Sequence, residues 1–141
     1  MQVKLLSEEA ELDKIGPVLR ELRPQYSQEQ LLRQIKKQQT NGYQLAWVEE
    51  DGAVLCVAGF VIAEKLAWQK HLYVDDLVSS ESQRSRGAGK LLMDWLKQYA
   101  REQGCQQLHL DSGVQRFAAH RFYLREGFAI ASHHFSIDQL D

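Results

Sequence analysis

Gln83-Arg84-Ser85-Arg86-Gly87-Ala88-Gly89-Lys90 is the stretch on which the fold turns. It lies between an apolar, strand-like run ending near Val78 and an amphipathic helix predicted to begin near Ala88. Gly87 and Gly89 let the backbone bend tightly and approach an anion. The helix that follows turns its unpaired N–H groups and its positive dipole end back into the loop. Arg84, Arg86 and Lys90 add cations able to neutralise more than one phosphate. Spacing separates the known phosphate loops. A Walker loop fails because its first glycine position is Arg84 and its Ser/Thr position is Leu91. A dinucleotide fingerprint fails because its third glycine position is Leu92. What remains is Gln83 followed by Arg84-x-x-Gly87-x-Gly89.

The 141 residues suit one domain, 1–141, with a real core. Apolar residues at 44% and charged ones at 26% are those of a globular chain. The net charge of −2 gives no global field for nucleic acid, and the basic residues that matter sit in one loop. Cys56 and Cys105 have neither metal-ligand spacing nor a disulfide framework, and Cys56, within Val54-Leu55-Cys56-Val57-Ala58, reads as a small buried hydrophobe. With no signal peptide, lipidation motif or long apolar run, a cytoplasmic chain with no membrane, metal or nucleic-acid partner is expected.

Periodicity places a first strand at Val3–Leu6 and a helix over 8–22 capped by Ser7, with Gly16-Pro17 expected to kink or split it. A second helix runs from the cap Ser27 to Thr40, and its Lys/Gln-rich outer face reads as solvated surface. Tyr43–Glu49 and Ala53–Ala63 read as a hairpin turning at Asp51-Gly52. Gly59 inside the second strand predicts a bulge or a close backbone neighbour. Leu72–Ser79 is the fourth strand. A helix over 88–103 buries Leu91, Leu92, Trp95, Leu96 and Tyr99 and stops at Gly104. A strand at 107–111, a helix at 114–125 and a last strand at Phe128–Ile137 complete a β-α-α-β-β-β-α-β-α-β order. The fold class is α/β (mixed α+β), with helices on a twisted mixed sheet.

The loop at 83–90 resembles the acetyl-CoA pyrophosphate loop, Gln/Arg-x-x-Gly-x-Gly/Ala, of the GCN5-related N-acetyltransferase (GNAT) family. Ala119-His120-Arg121-Phe122-Tyr123-Leu124-Arg125-Glu126-Gly127-Phe128 resembles the family's helix bearing a Tyr, followed four residues later by Gly-Phe. Both motifs, in the right order, lie within residues 72–135. The second is most similar to the aminoalkylphosphonate N-acetyltransferases and other small-amine enzymes.

The resemblance implies the acyl-CoA N-acyltransferase fold, acetyl-CoA as cosubstrate, a small primary amine as acceptor and a homodimer as assembly. It implies cofactor contacts from Leu77, Val78 and Ser79, from Gln83, Arg84, Ser85, Arg86, Gly87, Ala88, Gly89 and Lys90, and from Arg116, where many relatives carry Asn. It makes Tyr123 the acid that protonates the departing thiolate. For the base, many relatives have a Glu where this chain has Tyr73. Strand alternation puts Tyr73, Asp75 and Leu77 on one face and Asp76 on the other, so Asp75 would work through water. A bulge would favour Asp76 instead. Alternatively one or both carboxylates pair with a neighbouring cation or bind the acceptor's ammonium group, and no protein base is used. His120 reads as surface or cofactor rim, and one of His133 and His134 as able to reach the acceptor. A protein N-terminal or lysine acetyltransferase and a non-catalytic acyl-CoA sensor are the other readings.

Overall fold

The computed structural model describes residues 1–83 and 86–141. Its contacts divide the chain into two compact units, Met1–Leu110 and Asp111–Asp141.

The first unit is built on a five-stranded sheet in the order β1-β2-β3-β4-β5. The strands are β1 (Gln2–Leu5), β2 (Gln44–Glu50), β3 (Ala53–Lys65), β4 (Gln69–Ser79) and β5 (Gln107–Leu110). The first four pair antiparallel in chain order, and β4 pairs parallel with β5. Asp51 and Gly52 turn the β2–β3 hairpin with φ of 51° and 80°, the left-handed pair that a tight hairpin needs. Strand alternation sorts the core into two layers. Leu45, Trp47 and Val57 pack with Leu12, Ile15 and Leu19 of α1 (Leu12–Leu22) and Leu31 and Ile35 of α2 (Gln28–Gln39). On β3, Phe60 meets Trp95 and Tyr99 of α3 (Ala88–Glu102) edge-on.

Ser27 caps α2 as its sequence predicts, accepting from the Gln30 N–H at 3.1 Å while the Gln30 side chain accepts from Ser27. At α1 the N-cap is Glu11 rather than Ser7. Glu8 and Glu11 form a capping box on a short 3₁₀ turn, Glu9–Glu11, that leads into the helix. Nor does Gly16-Pro17 split α1, which runs on through Pro17. Pro17 lies early in the helix, and Gly16 lets the Gln28 side chain pack against the backbone there. In α3 the buried stripe is Ala88, Leu92, Met93, Leu96 and Ala100, while Leu91 is exposed. The stripe is thus rotated by about one residue from the predicted one.

The second unit contains α4 (Phe117–Arg125). The helix starts three residues later than predicted, because the 113–116 segment turns on the Arg116 N–H to Gly113 carbonyl bond at 3.0 Å. At its far end Gly127, at φ 98°, lets the Phe128 N–H return to the Tyr123 carbonyl. The predicted last strand is corrected: residues 128–137 are in no strand. The Phe128 N–H is committed to the helix end. The apolar alternation also changes phase across Ser132-His133-His134, so Phe128 and Ile130 do not share a face with Phe135 and Ile137.

Candidate active site

The site grows from one irregularity in β4. Phe60 pairs with Val74 and Gly59 pairs with Asp76, so Asp75 has no partner on β3 and is the extra residue of a β-bulge. A bulge reverses the alternation beyond it. Val74 stands opposite Phe60, which meets α3, whereas Asp76 faces Tyr43 and Arg23 on the α1–α2 side. The predicted faces are therefore corrected: Asp76, not Asp75, continues the face of Tyr73.

Three side chains lock this arrangement. The Tyr43 hydroxyl donates to Asp76 Oδ2 at 2.6 Å, and Arg23 Nε donates to Oδ1 at 2.9 Å. Arg23 Nη2 also donates to the Asp75 backbone carbonyl at 3.2 Å, which satisfies an acceptor that the bulge removes from the ladder. Gly59 makes the geometry possible. A Cβ there would stand 1.7 Å from the Tyr43 hydroxyl oxygen, so only glycine leaves the ring its path to Asp76. Burial first, and then the Asp76 charge, raise the Tyr43 pKa far above its usual value, so it stays a donor.

Asp75 differs from its neighbour. No hydrogen bond or ion pair holds its carboxylate among the described residues, and desolvation first, then the Asp76 charge, raise its pKa, with Arg23 pulling the other way. Both aspartates line a cavity of about 340 Å³ walled by Arg23, Tyr26, Gln34 and Tyr43. Gln34 and Gln38 border this cavity, so part of the α2 face read as bare surface is lining. An unengaged carboxylate of raised pKa at the wall of a cavity is suited to hold an ammonium group and to take up its proton.

Beyond the bulge β4 also loses a neighbour. The parallel ladder to β5 runs from His71↔Gln107 to Val74↔Leu110 and stops, whereas the ladder to β3 continues to Ser79. Among the described residues, Leu77, Val78 and Ser79 therefore pair on one side only, leaving main-chain groups for an extended ligand arm. β4 is followed by a short 3₁₀ turn, Glu81–Gln83, and then by the loop. Arg84 and Ser85 lie outside the described residues. Gly87 caps α3 at φ 82° with no described residue within 4 Å of where a Cβ would stand, and the first turn carries no acidic residue. That is the open, electropositive helix start an anion requires. The side chain of Arg86 is held by Glu50 of β2 and by Gln83 Oε1 at 3.0 Å, and Lys90 pairs with Asp94 at 3.4 Å. Glu50 is a counter-charge that motif reading does not reveal.

In the second unit, Tyr123 is buried at 9% exposure and packs edge-on against Phe122 and Phe128. Arg116 caps α4 through its backbone. His120 Nε2 bonds the Gly113 carbonyl at 2.7 Å, a tie within its own loop. His134 lies 3.5 Å from Asp111, and His133 is exposed.

Arg23 and Tyr43 are the residues around the two aspartates that motif reading misses. Gly59, anomalous within an apolar strand, was the available signal, though it did not name Tyr43 as the neighbour.

A fourth strand that is bulged and then, among the described residues, paired on one side only, followed by a glycine-capped helix, is the arrangement that the acyl-CoA N-acyltransferase resemblance implies. The family model described as the acetyltransferase (GNAT) family matches residues 7–128. The N-acetyltransferase YhdJ of Bacillus subtilis (strain 168) is 33% identical over 137 residues, 96% of each chain. An aminoalkylphosphonate N-acetyltransferase of Salmonella typhimurium is 36% identical over 55 residues, 39% of this chain and 36% of that protein. Among solved structures, the aminoglycoside N-acetyltransferase AAC(6')-Iy in complex with CoA superposes with a TM-score of 0.86 at 14% identity, covering 99% of this chain and 95% of that one. The chain belongs to the GNAT family of acetyltransferases.

Proposed function

We propose that this enzyme transfers the acetyl group of acetyl-CoA to a primary amine of a small molecule bound in the cavity beside Asp75. The observation that carries the reading is the coincidence, within one strand, of the unengaged Asp75 carboxylate and the one-sided backbone of Leu77–Ser79. The pantetheine arm would pair along Leu77, Val78 and Ser79, and the pyrophosphate would sit on the N–H groups that follow Gly87, with Gln83, Arg84, Ser85, Arg86, Ala88, Gly89 and Lys90 around it. Arg116 would contact the cofactor.

The amine nitrogen attacks the thioester carbonyl, its proton passes to Asp75, and the C–S bond breaks. Tyr123 donates its phenolic proton to the thiolate. Asp76 holds the bulge in place rather than accepting the proton, because Arg23 and Tyr43 occupy its carboxylate. We read the enzyme as cytoplasmic and homodimeric. The exposed apolar side chains of Ile130, Phe135, Ile137 and Leu140 support an assembly. The single-domain reading is supported by a family match that runs across both units.

Thiol release from acetyl-CoA across a panel of small amines and peptides tests this. Small amines should turn over. Release with peptides alone would point to a protein acceptor, and binding without release would point to a sensor. Tyr123→Phe keeps the ring and removes the hydroxyl, so single-turnover rates should fall by roughly 10²-fold, with acetyl-CoA affinity unchanged. Wild-type speed in that variant would remove Tyr123 from the mechanism.

A further inference from the structure

We propose that the acceptor is a dipolar amine, with its ammonium group at Asp75 and an anionic group held by Arg33 and Lys37 of α2. The inference rests on the amine-acetyltransferase reading above and adds a substrate class to it.

The observations concern two cavities rather than one. The cavity at Asp75 shares Gln25, Tyr26 and Gln34 with a second, shallower one of about 430 Å³, so the two are contiguous across the α1–α2 connection. Their charges are opposite. The first is lined by two carboxylates, Asp75 and Asp76, against the single guanidinium of Arg23, which is already committed to Asp76. The second is lined by Arg33 and Lys37 with no acidic residue in its wall. Arg33 pairs one turn back with Glu29 at 2.8 Å, but that bond occupies only Nη1, and Glu29 is itself highly exposed. Among the described residues the Lys37 ammonium makes no hydrogen bond or ion pair, whereas its neighbour Lys36 is paired with Glu9.

A ligand lying across both cavities thus meets a negative field at one end and a positive field at the other. A second ammonium group would be repelled by Arg33 and Lys37, and a neutral tail would draw nothing from them. A carboxylate, phosphate or phosphonate at the far end would satisfy both. The glutamines along the shared wall add hydrogen-bond donors and acceptors without net charge. Such an arrangement also fixes direction, because only one orientation of the ligand puts its amine next to the group that takes up the proton.

The test uses the purified full-length enzyme and acetyl-CoA with a homologous series of ω-amino carboxylates, each compared with its own carboxamide. Aminoalkylphosphonates form a more highly charged arm, and α,ω-diamines form the opposite one. The anionic member of each pair should be favoured by about three- to tenfold in kcat/KM, the scale of solvent-exposed charge contacts. The preference should reside in KM and shrink with added salt. In R33A/K37A the ratio between the members should collapse toward one, and in R33E/K37E the diamine should overtake the amino acid. Acetyl-CoA, as a ligand of the folded state, should raise the melting temperature by the same amount in all three proteins.

Equal rates for acid and amide in the wild type would overturn the proposal, as would a preference that survives R33A/K37A. A loss of the acetyl-CoA shift in the variants would overturn it differently, by assigning these cations to the cosubstrate. Release with every amine but no charge preference leaves the acetyltransferase reading intact and this inference refuted, whereas release with none brings down both.

Discussion

The two halves of β4 belong to one strand and do different work. From His71 to Val74 the strand has a hydrogen-bonded neighbour on each side, and His71, Leu72 and Val74 are buried. Its outer end is closed by aromatic rings: Trp68 stacks on His109 of β5 at 3.5 Å between ring centres, with Lys65 over its face. Beyond a bulge at Asp75, the same strand from Asp76 to Ser79 pairs only with β3 among the described residues, and both aspartates line a cavity. The contrast teaches how a sheet can hold an irregular, cavity-facing segment still. The bulge and the missing neighbour weaken the strand locally, and the sealed half, with the Arg23–Asp76–Tyr43 clamp, anchors it.

If that division is right, substitutions in the two halves should fail in different ways. The largest effect belongs to the sealed half. Leu72 is fully buried, so Leu72→Ala should cost about 2–5 kcal/mol of stability. Chemical denaturation measures it, and a cost below that of Asp76→Asn would erase the distinction between the halves. Next comes Asp75→Asn, which removes the proposed proton acceptor and should lower kcat/KM by roughly 10²-fold without lowering the melting temperature. The sign follows from the raised pKa of Asp75. The folded protein holds that proton to higher pH than the unfolded chain, so ionisation of Asp75 opposes folding as pH rises through the raised value. The asparagine variant should therefore be at least as stable as wild type at neutral pH. A clear loss of stability there would mean that Asp75 is structural.

Asp76→Asn sharpens the contrast between adjacent carboxylates. Arg23 and Tyr43 would lose a charged acceptor, at a cost of about 1–3 kcal/mol, and activity should fall only as far as the bulge relaxes. Undiminished stability with strongly reduced turnover would exchange the roles of the two aspartates.

The smallest effect concerns acid sensitivity away from β4. Hydrogen bonds from Lys14 and Trp47, with Lys4 adding to them, lower the Glu49 pKa from 4.5 to about 2. Its contribution to stability is therefore complete above the unfolded value and disappears as pH falls toward about 2. Urea midpoints between those limits should decline less steeply in Glu49→Gln. An unchanged slope would assign the acid sensitivity elsewhere.

Residue order by itself determined most of the first unit. Ser27 had to cap a helix because its hydroxyl can accept the Gln30 N–H. Asp51-Gly52 had to turn a hairpin because few residue pairs tolerate two positive φ values. Glycine at 87 had to open a helix where a side chain would be strained. All of these are local constraints, settled within a few residues, and so they are written in the order of the chain.

What only the tertiary structure decided are the long-range facts. The face on which Asp75 and Asp76 stand depends on a bulge, and that bulge follows from the register of β3 against β4 rather than from any residue in β4. The clamp joins residues 23, 43 and 76, and its only local trace is a glycine at 59 whose role appears once Tyr43 lies against it. Arg86 meets Glu50, thirty-six positions away, through the packing of β2 beside the loop. The strand expected at 128–137 shows the same limit. Apolar residues can mark a segment as capable of pairing, but a strand exists only where another strand supplies the hydrogen bonds, and no local pattern specifies that partner.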